Sequence, residues 1–406
     1  MKKVITLVVV MAMVLVVFAA CSQETATTST APSEEASEEG LGAQEQMEVS
    51  AGEAVQEQAG EAEGKSYNFA IVYGGVHPFF DPWRFGAQQA AMDLQIPTPN
   101  VTSPQDWDQT QQNAIIDGLV AGGVNGIGMF TSDAVAGNQK IGELVDMGIP
   151  VVTMGGSPAT PSKATFCYTS DVGASVAYAT QAIIDELKAQ GKTSGNLVHL
   201  CSGLADTNTQ KRQAAIKKVL EQPENAGFVL YKELPDTDAT QPAEEAISAM
   251  FSSYYKDVDG IVCTGYINAQ VLAKTFNERG TNEGIVAIGI DDSTDVMTAI
   301  SNGYMYGTMT QSSWAMGYVG TYGLKLLTDG YTYKEGAPFL INSGFWLCTK
   351  DNIDQYDERQ QTIATDFVST MAEKFFDAPG EAPTPFDTSS LPAENEIGFV
   401  GPVYED

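Results

Sequence analysis

Aromatic and hydrogen-bonding side chains are concentrated in one short segment, HPFFDPW, at residues 77–83. The segment follows the apolar run NFAIVYGG and carries His77 with the adjacent Phe79 and Phe80. Loops are usually polar and solvated, so a turn with aromatic rings either buries them in the core or holds them against a bound molecule. Core packing is the commoner use of such rings, and both interpretations stay open at this point.

Catalysis has little support in this sequence. His77 and His199, its two histidines, fit neither a Ser/His/Asp arrangement nor a metal-ligand spacing, and the G-x-S-x-G and HExxH motifs are missing. We therefore predict no catalytic residue, no metal and no cofactor, with an exported hydrolase as the rival interpretation. Four widely spaced cysteines lie in apolar runs, which predicts buried thiols, with disulfides as the alternative. They are Cys167, Cys201, Cys263 and Cys348.

The segment from Lys65 to about Phe376 must position these side chains, and its pattern predicts an α/β fold. Short apolar runs such as VNGIGMFTS, IPVVTMGGS and GIVCTGY alternate with amphipathic segments such as GASVAYATQAIIDELKAQG. Apolar strands that alternate with amphipathic helices are typical of βαβ units around parallel sheets. About three hundred residues are enough for two domains.

Parallel sheets of this kind bind ligands at the carboxyl ends of their strands, so the residues that follow each apolar run are candidates for a binding site. Aromatic rings, amides, a cation and carboxylates occur there, and such a set suits a neutral polar small molecule such as a sugar. The candidates are His77, Phe79, Phe80, Phe130, Ser157, Arg212, Tyr266, Asn268, Asp291 and Gln311.

Several candidates also have simpler interpretations. Arg212 lies in a helical run with three lysines, so a solvated helix face is an equal alternative to a binding role. Asp291 precedes Asp292 and Ser293, and any of these residues could cap the next helix. We expect Asp292 or Ser293 to form the cap and Asp291 to face the binding site. Asp133 is as good a candidate for a helix cap as for a ligand contact.

The two ends of the chain differ in composition from its body. Residues 1–20, MKKVITLVVVMAMVLVVFAA, read as an export signal. Residues 21–64 contain eleven Glu and no Lys or Arg, and residues 377–406 contain seven acids and no base, so we predict a disordered acidic tether and a disordered acidic tail. Of the formal net charge of −31, the tether and the tail supply −18 and the two signal lysines +2, which leaves −15 on the body. A body this negative argues against binding to nucleic acid, which needs Lys and Arg at the phosphates.

The context Phe18-Ala19-Ala20-Cys21 resembles a bacterial lipoprotein signal. The resemblance implies that Cys21 is lipidated and anchors the exported protein to the extracytoplasmic face of the cell membrane. Phe18 departs from the leucine that such signals usually carry at this position. A transmembrane anchor with an incidental cysteine is the alternative interpretation.

A set of motifs in a fixed order resembles a known family. The first apolar run is followed by x-P-F-F and GAQQAA, then by GIPVVT, TSD, VAIGIDDS, TMTQ and WLCTKDNIDQY. Over residues 65–356 the chain resembles the ribose/galactose branch of the type I periplasmic binding proteins, the solute receptors of ABC importers. The resemblance implies two doubly wound α/β lobes with parallel central sheets.

The family's lobes are joined by three hinge crossings, which the resemblance places near Thr169–Asp171, Gln311–Ser312 and Asn342–Ser343. We therefore predict an N-terminal lobe of residues 65–169 with 312–342, and a C-terminal lobe of residues 170–311 with 343–376.

The resemblance also implies roles for single residues. Phe79 and Phe80 match the phenylalanines that cover the sugar, and His77 stands where the family has an asparagine that hydrogen-bonds it. Tyr73 falls on another contact of the first strand. The second lobe's arginine, aspartate and hinge glutamine are matched by Arg212, Asp291 and Gln311.

Two positions depart from the family pattern. An Asp-Arg pair after the third apolar run is Gly155-Gly156 here, and an Asn-Asp pair after GIVCT is Gly265-Tyr266. These changes disfavour ribose. They favour a larger ligand, or a less hydroxylated one with a flat face for Tyr266, in the room that the glycines leave.

The predicted function is therefore that of a lipid-anchored, monomeric receptor that captures a sugar or a related polar solute by lobe closure. It would deliver this solute to the permease subunits of an ABC importer. The alternative within binding proteins is a solute sensor for a chemoreceptor or a histidine kinase. A transcription regulator of the same fold is excluded, because the chain has an export signal and an acidic tether in place of a basic DNA-binding segment.

Overall fold

The computed structural model describes residues 65–204 and 206–390; the predicted signal and tether and the end of the tail lie outside these ranges. The strands are β1 Phe69–Val72, β2 Asn100–Thr102, β3 Gly126–Met129, β4 Val151–Met154, β5 Cys167–Thr169, β6 Gly195–Leu200, β7 Phe228–Leu234, β8 Gly260–Cys263, β9 Val286–Ile290, β10 Gly307–Met309, β11 Thr332–Tyr333, β12 Leu340–Asn342, β13 Leu347–Thr349 and β14 Phe376–Asp377. The helices are α1 Asp81–Leu94, α2 Gln109–Ala121, α3 Ala134–Asp146, α4 Val172–Ala189, α5 Thr207–Leu220, α6 Thr240–Ser253, α7 Tyr266–Arg279, α8 Thr294–Asn302, α9 Ser313–Thr328 and α10 Tyr356–Phe375. Within the described ranges, no helix combines the length and the apolar character needed to cross a membrane.

Two six-stranded sheets form the centre of the molecule. The first has the order β12-β5-β4-β3-β1-β2, and all its neighbouring strands are parallel. The second has the order β13-β10-β9-β8-β6-β7, and only β13 is antiparallel to its neighbour. Central strands such as β1, β3 and β8 are buried along their whole length, as expected for sheets covered by helices on both faces. The predicted α/β fold is confirmed, and each sheet with its helices is called a lobe below.

The chain passes between the lobes at three adjacent places, from β5 to α4, from β10 to α9 and from β12 to β13. Ser170 connects all three, because its Oγ donates to the Gln311 carbonyl at 3.0 Å and lies 2.8 Å from the Ser343 Oγ. Asn342 Oδ1 accepts from the Asp171 backbone N–H at 3.1 Å. The three predicted crossings are thus hydrogen-bonded into one hinge.

The C-terminal part of the body differs from the prediction. Helix α10 begins beside the second lobe, where the Tyr356 and Trp346 rings are 5.6 Å apart, but Phe367 and Phe375 belong to the core of the first lobe. The assignment of all of residues 343–376 to the C-terminal lobe is therefore wrong for the end of this helix. Its apolar residues recur every three to four positions and so form one buried face.

The predicted disordered tail begins too early. Asp377 pairs with Thr332 in the short antiparallel β11–β14 sheet. Further along, Phe386 stacks on Phe375 with ring centroids 5.3 Å apart. An aromatic anchor thus orders residues 377–390 despite their acidic composition. The four cysteines of the body are buried and unpaired, as the prediction of buried thiols requires.

Helices α1 and α9 cross at two glycines, which gives a test of the first lobe's packing. A Cβ added at Gly86 would lie 2.0 Å from the Trp314 carbonyl oxygen, and one at Gly317 would lie 1.9 Å from the Trp83 carbonyl oxygen. We expect Gly86→Ala to destabilise the protein by about 3 kcal/mol in a denaturant titration, because backbone cannot move aside cheaply. Gly142→Ala on α3, whose Cβ would meet nothing within 4 Å, is the control and should gain about 0.5–1 kcal/mol. Equal stability of Gly86→Ala and wild type would mean that the two helices are not in such close contact.

Candidate functional site

A cleft of about 780 Å³ lies at the carboxyl ends of the strands of both lobes. Each sheet reverses its strand order there, between β1 and β3 in the first lobe and between β6 and β8 in the second, and such switch points are where open α/β sheets bind ligands. Nine of the eleven predicted site residues line the cleft. They are His77, Phe79, Phe80, Phe130, Ser157, Arg212, Tyr266, Asp291 and Gln311.

The first lobe contributes an aromatic wall. Residues 78–80 form a single 3-10 turn, which His77 caps by accepting the Phe79 backbone N–H on Nδ1 at 3.2 Å. Phe80 is 1% exposed and packs against Trp83 and Phe130 at ring distances of 5.2 and 5.4 Å. Both interpretations of this segment therefore hold for Phe80, which belongs to the core and also lines the cleft.

Trp107 is an aromatic residue of the wall that the sequence analysis missed. Its side chain is 51% exposed, and its ring lies 5.9 Å from that of Phe80. The indole rests on Gly74 and Gly75, where an added Cβ would lie 2.6 and 2.8 Å from it. Trp107 follows β2, a three-residue strand whose sequence, NVT, is too short to stand out as an apolar run. The glycine pair at the end of β1 was the available signal.

The glycines after β4 are one of the two positions that depart from the family pattern. We expected Gly155 and Gly156 to leave room for a larger ligand, and this expectation is wrong. A Cβ at Gly156 would lie 2.7 Å from the Phe130 ring, and one at Gly155 would lie 2.8 Å from the Trp83 ring. Aromatic side chains already fill this space, so the glycines make room for the wall and not for the ligand.

The second lobe contributes three buried polar residues that are hydrogen-bonded in series, Arg212, Gln311 and Asp291, here called the polar triad. Arg212 is 7% exposed, so the solvated-face interpretation of this residue is wrong. Its Nη2 donates to Gln311 Oε1 at 3.2 Å, and Gln311 Nε2 donates to both carboxylate oxygens of Asp291 at 3.1 and 3.0 Å. Arg212 Nε is buried and has no hydrogen-bond partner, so this donor is free for a molecule in the cleft.

Burial shifts the pKa values of the two ionisable members of the polar triad, Asp291 and Arg212. Loss of solvent raises the pKa of Asp291 to about 7, and the neighbouring Asp292 adds to the rise. Burial also lowers the pKa of Arg212, while nearby carboxylates, that of Asp206 first, act in the opposite direction. Ser293 caps α8 by accepting the Val296 N–H at 3.3 Å, which leaves Asp291 facing the cleft as predicted. Near neutral pH the polar triad thus offers hydrogen-bond donors at Arg212 and, at Asp291, a carboxyl group whose pKa of about 7 allows both the protonated and the ionised form.

Asp238 is a second residue of the cleft that the sequence analysis missed. Its carboxylate accepts the Ile267 backbone N–H at 3.0 Å and the Ser202 hydroxyl at 3.0 Å. Burial raises the pKa of Asp238, but the His77 ring and these hydrogen bonds outweigh it and hold the pKa below its ordinary value. A Cβ at Gly265 would lie 2.5 Å from Asp238 Cγ. The carboxylate that we expected to be lost at Gly265-Tyr266 is therefore supplied at the same place from the loop after β7.

Two predicted contacts do not line the cleft. Tyr73 stacks on Phe80 at 4.7 Å, and its buried hydroxyl has no partner; burial also raises its pKa well above the ordinary value. Asn268 is fully buried and caps α7, because its Oδ1 accepts the Gly265 N–H and its Nδ2 donates to Thr237, both at 3.2 Å. Both predictions were wrong, because each side chain turns into the structure behind the cleft surface.

His199 lies outside the cleft, in the second sheet. Its Nδ1 is 3.0 Å from Glu233 and its Nε2 is 2.8 Å from the Thr264 hydroxyl, and burial lowers its pKa despite the carboxylate. With Cys201 and Glu233 it forms the only group of three His, Cys, Asp or Glu residues within the described ranges whose ligand atoms are close enough to hold a metal. Both ring nitrogens already have partners, so the observed role of His199 is to connect β6 with β7 and with Thr264.

Comparison with known proteins adds to this geometry. A family model described as a periplasmic binding protein domain matches residues 45–332, which is more than half of the chain. A search of curated proteins finds no match in sequence.

Solved structures similar to this chain share its fold. A solute-binding protein of an ABC transporter from Burkholderia graminis C4D1M, in complex with D-arabinose, is 22% identical, with a TM-score of 0.63 over 73% of this chain and 99% of that one. A sugar-binding protein of a sugar ABC transporter from Bacillus halodurans is 19% identical, with a TM-score of 0.63 over 72% and 100%. A XylFII–LytSN complex is 20% identical, with a TM-score of 0.57 over 70% and 98%.

Proposed function

Because the chain belongs to the type I periplasmic binding protein family, we propose that it captures a sugar or a sugar-like solute in the cleft between its lobes. In this proposal the lobes close on the solute, and the loaded receptor delivers it to the permease of an ABC importer. The family acts outside the cytoplasm, and the anchor that we propose there is a lipid on Cys21.

The observation that carries this proposal is the combination of aromatic rings and buried polar groups in one cleft. Phe79, Trp107 and Phe130 line the first lobe's side, while Arg212, Asp291 and other polar groups line the second. A sugar has C–H faces that pack on aromatic rings and hydroxyls that both donate and accept hydrogen bonds. Structures similar to this chain hold D-arabinose or D-tagatose, which supports a small carbohydrate as the ligand.

A panel of solutes tests the proposal by thermal shift. We expect at least one of D-arabinose, D-xylose, D-galactose, D-glucose and D-tagatose to raise the melting temperature. At a hundredfold excess over its dissociation constant the stabilisation should be about 2.7 kcal/mol. D-ribose is the pentose that we expect to bind least, because the family's Asp-Arg pair is Gly155-Gly156 here. Polyols and nucleosides complete the panel, and a response to none of its members would contradict the proposed role.

Sensing is the second candidate function, and the similarity to a XylFII–LytSN complex is the observation that favours it. Cells that lack this protein separate the two roles. Loss of uptake of the bound sugar supports delivery to an importer, whereas normal uptake with a lost response to the sugar supports a sensor. Recovery of the bound sugar unchanged after long incubation would argue against the hydrolase interpretation.

A further inference from the structure

The hydrogen bond at one ring nitrogen of His77 fixes the other nitrogen as the donor. Nδ1 accepts the Phe79 backbone N–H at 3.2 Å, so the ring proton is on Nε2. Nε2 is buried and has no hydrogen-bond partner. A desolvated donor without a partner carries a free-energy cost, which a molecule in the cleft can relieve.

The nearest acceptor lies on the other lobe. His77 Nε2 and Asp238 Oδ2 are 3.7 Å apart, and the two side chains are only 16% and 23% exposed. This distance exceeds that of a hydrogen bond. Among the close pairs of a basic and an acidic side chain within the described ranges, His77–Asp238 is the one that joins the two lobes. The second lobe also reaches His77 through Tyr266, whose ring lies 6.1 Å from the imidazole.

Asp238 Oδ2 has capacity for a further hydrogen bond. It accepts from the Ser202 hydroxyl, and a carboxylate oxygen has about two acceptor positions. An oxygen atom can lie ~2.8 Å from two atoms that are 3.7 Å apart. A group placed there would accept from His77 Nε2–H and donate to Asp238 Oδ2.

We propose that His77 and Asp238 form a subsite that recognises one hydroxyl group of the ligand, and that Asp238 is thereby a ligand-binding residue of the second lobe. The inference rests on the proposed function, because it assigns a contact to the solute in the same cleft. A hydroxyl group donates and accepts at once. An ammonium group has no acceptor for His77, and a keto or methoxy oxygen has no proton for Asp238. The bridged group contacts both lobes, so this part of the binding energy depends on lobe closure.

Isothermal titration tests the subsite with D-arabinose, D-xylose and D-galactose and with the monodeoxy analogues of each. His77→Asn and His77→Asp both keep an oxygen that can cap residues 78–80, but only asparagine keeps a donor. We expect His77→Asp to bind the best sugar at least tenfold more weakly than His77→Asn, and Asp238→Asn to bind it at least thirtyfold more weakly than wild type. Asp185→Asn on the exposed face of α4 is the control for loss of a carboxylate. Asp238→Ser is a second variant at position 238. Because each of the two residues then has two variants, the test stays decisive if one variant does not fold.

One deoxy analogue should identify the bridged hydroxyl. It should bind wild type at least thirtyfold more weakly than its parent sugar, while Asp238→Asn binds the analogue and the parent equally. Sugar binding that is unchanged in Asp238→Asn, or deoxy analogues that lose as much affinity in this variant as in wild type, would overturn the subsite and leave the proposed function intact. If none of the three sugars nor any other carbohydrate of the panel binds wild type, the proposed function fails, and the subsite fails with it.

Discussion

Arg212→Met is expected to weaken binding of the best sugar by at least a hundredfold. Arg212 is 7% exposed and its guanidinium has one hydrogen bond, to Gln311 Oε1 at 3.2 Å, so its other donors are available to oxygen atoms of the ligand. Hydrogen bonds from a charged donor in a desolvated site are worth about 1.5–3 kcal/mol each, and two of them account for a hundredfold change. Isothermal titration of the purified variant measures the loss directly.

The stability of the empty Arg212→Met protein separates a binding role from a structural one. Methionine fills a similar volume and removes a buried charge that lacks a directly bonded carboxylate, so unfolding of the empty variant should change by no more than about 1 kcal/mol. Lys217→Met is the matched control on the same helix, because Lys217 is 76% exposed at its side chain. A large loss of stability with unchanged affinity would show that Arg212 serves the fold of α5 and not the ligand.

Asp291→Asn is expected to stabilise the empty protein at pH 8 and to weaken sugar binding by about thirtyfold, the effect of roughly 2 kcal/mol. The folded-state pKa of Asp291 is raised to about 7 by burial, against about 3.9 in an unfolded chain. Between these values the folded state holds a proton that the unfolded state has released, so stability falls as pH rises from about 4 to about 7. One pKa unit corresponds to about 1.4 kcal/mol. We expect the variant, which has no carboxyl group to ionise at this position, to recover about 2 kcal/mol of the folding stability that wild type loses between pH 4 and pH 7.

Thermal melts of wild type and Asp291→Asn at pH 4 and pH 8 measure this effect. The melting temperature of the variant should exceed that of wild type at pH 8 and differ little from it at pH 4. Asparagine is the right substitution because Asp291 has φ of +62°, a conformation that Asn tolerates and Ala does not. Asp185→Asn should melt like wild type at both values. An equal difference between variant and wild type at the two pH values would contradict the raised pKa.

The cost at Asp291 fits a wider pattern of strain in this molecule. Asp291, Asp236 and Ser312 are three of the five non-glycine residues with positive φ in the described ranges. The first two line the cleft, and the third directly follows the cleft residue Gln311 in the hinge. Unfavourable backbone conformations and buried ionisable groups concentrate at binding sites, where function and not stability decides the residue.

Much of the fold and of the site was predictable because parallel βαβ units leave a regular trace in the sequence. Runs such as VAIGI are apolar throughout since their strands are buried on both faces, and the residues that follow them meet at one edge of each sheet. The rule that ligands bind at the carboxyl ends of parallel strands identified Phe130, Arg212 and Gln311 as candidates. The family resemblance supported Arg212 and Gln311 in addition. The position of α10 was less accessible, because its amphipathic pattern shows that it packs but not on which lobe.

The missed residues depend on three-dimensional relations that one sequence does not contain. Asp238 reaches its place only because Gly265, on a different loop, has no side chain there. The space beside Gly156 is filled by the Phe130 ring, so a glycine in the sequence did not mean an empty volume in the cleft. Asn268 occupies a strand-end position like its neighbours, yet its side chain turns inward to cap α7.

The exposed Trp107 indole gives the protein an intrinsic optical reporter. Of the four tryptophans in the chain, Trp83 and Trp346 are buried, Trp314 is partly buried, and Trp107 alone combines large exposure with a place in the cleft lining. Indole emission follows the polarity around the ring, so a solute that displaces water from Trp107 changes the fluorescence of the unlabelled protein. Occupancy of the cleft can thus be followed in real time during rapid mixing, on the timescale of lobe closure itself.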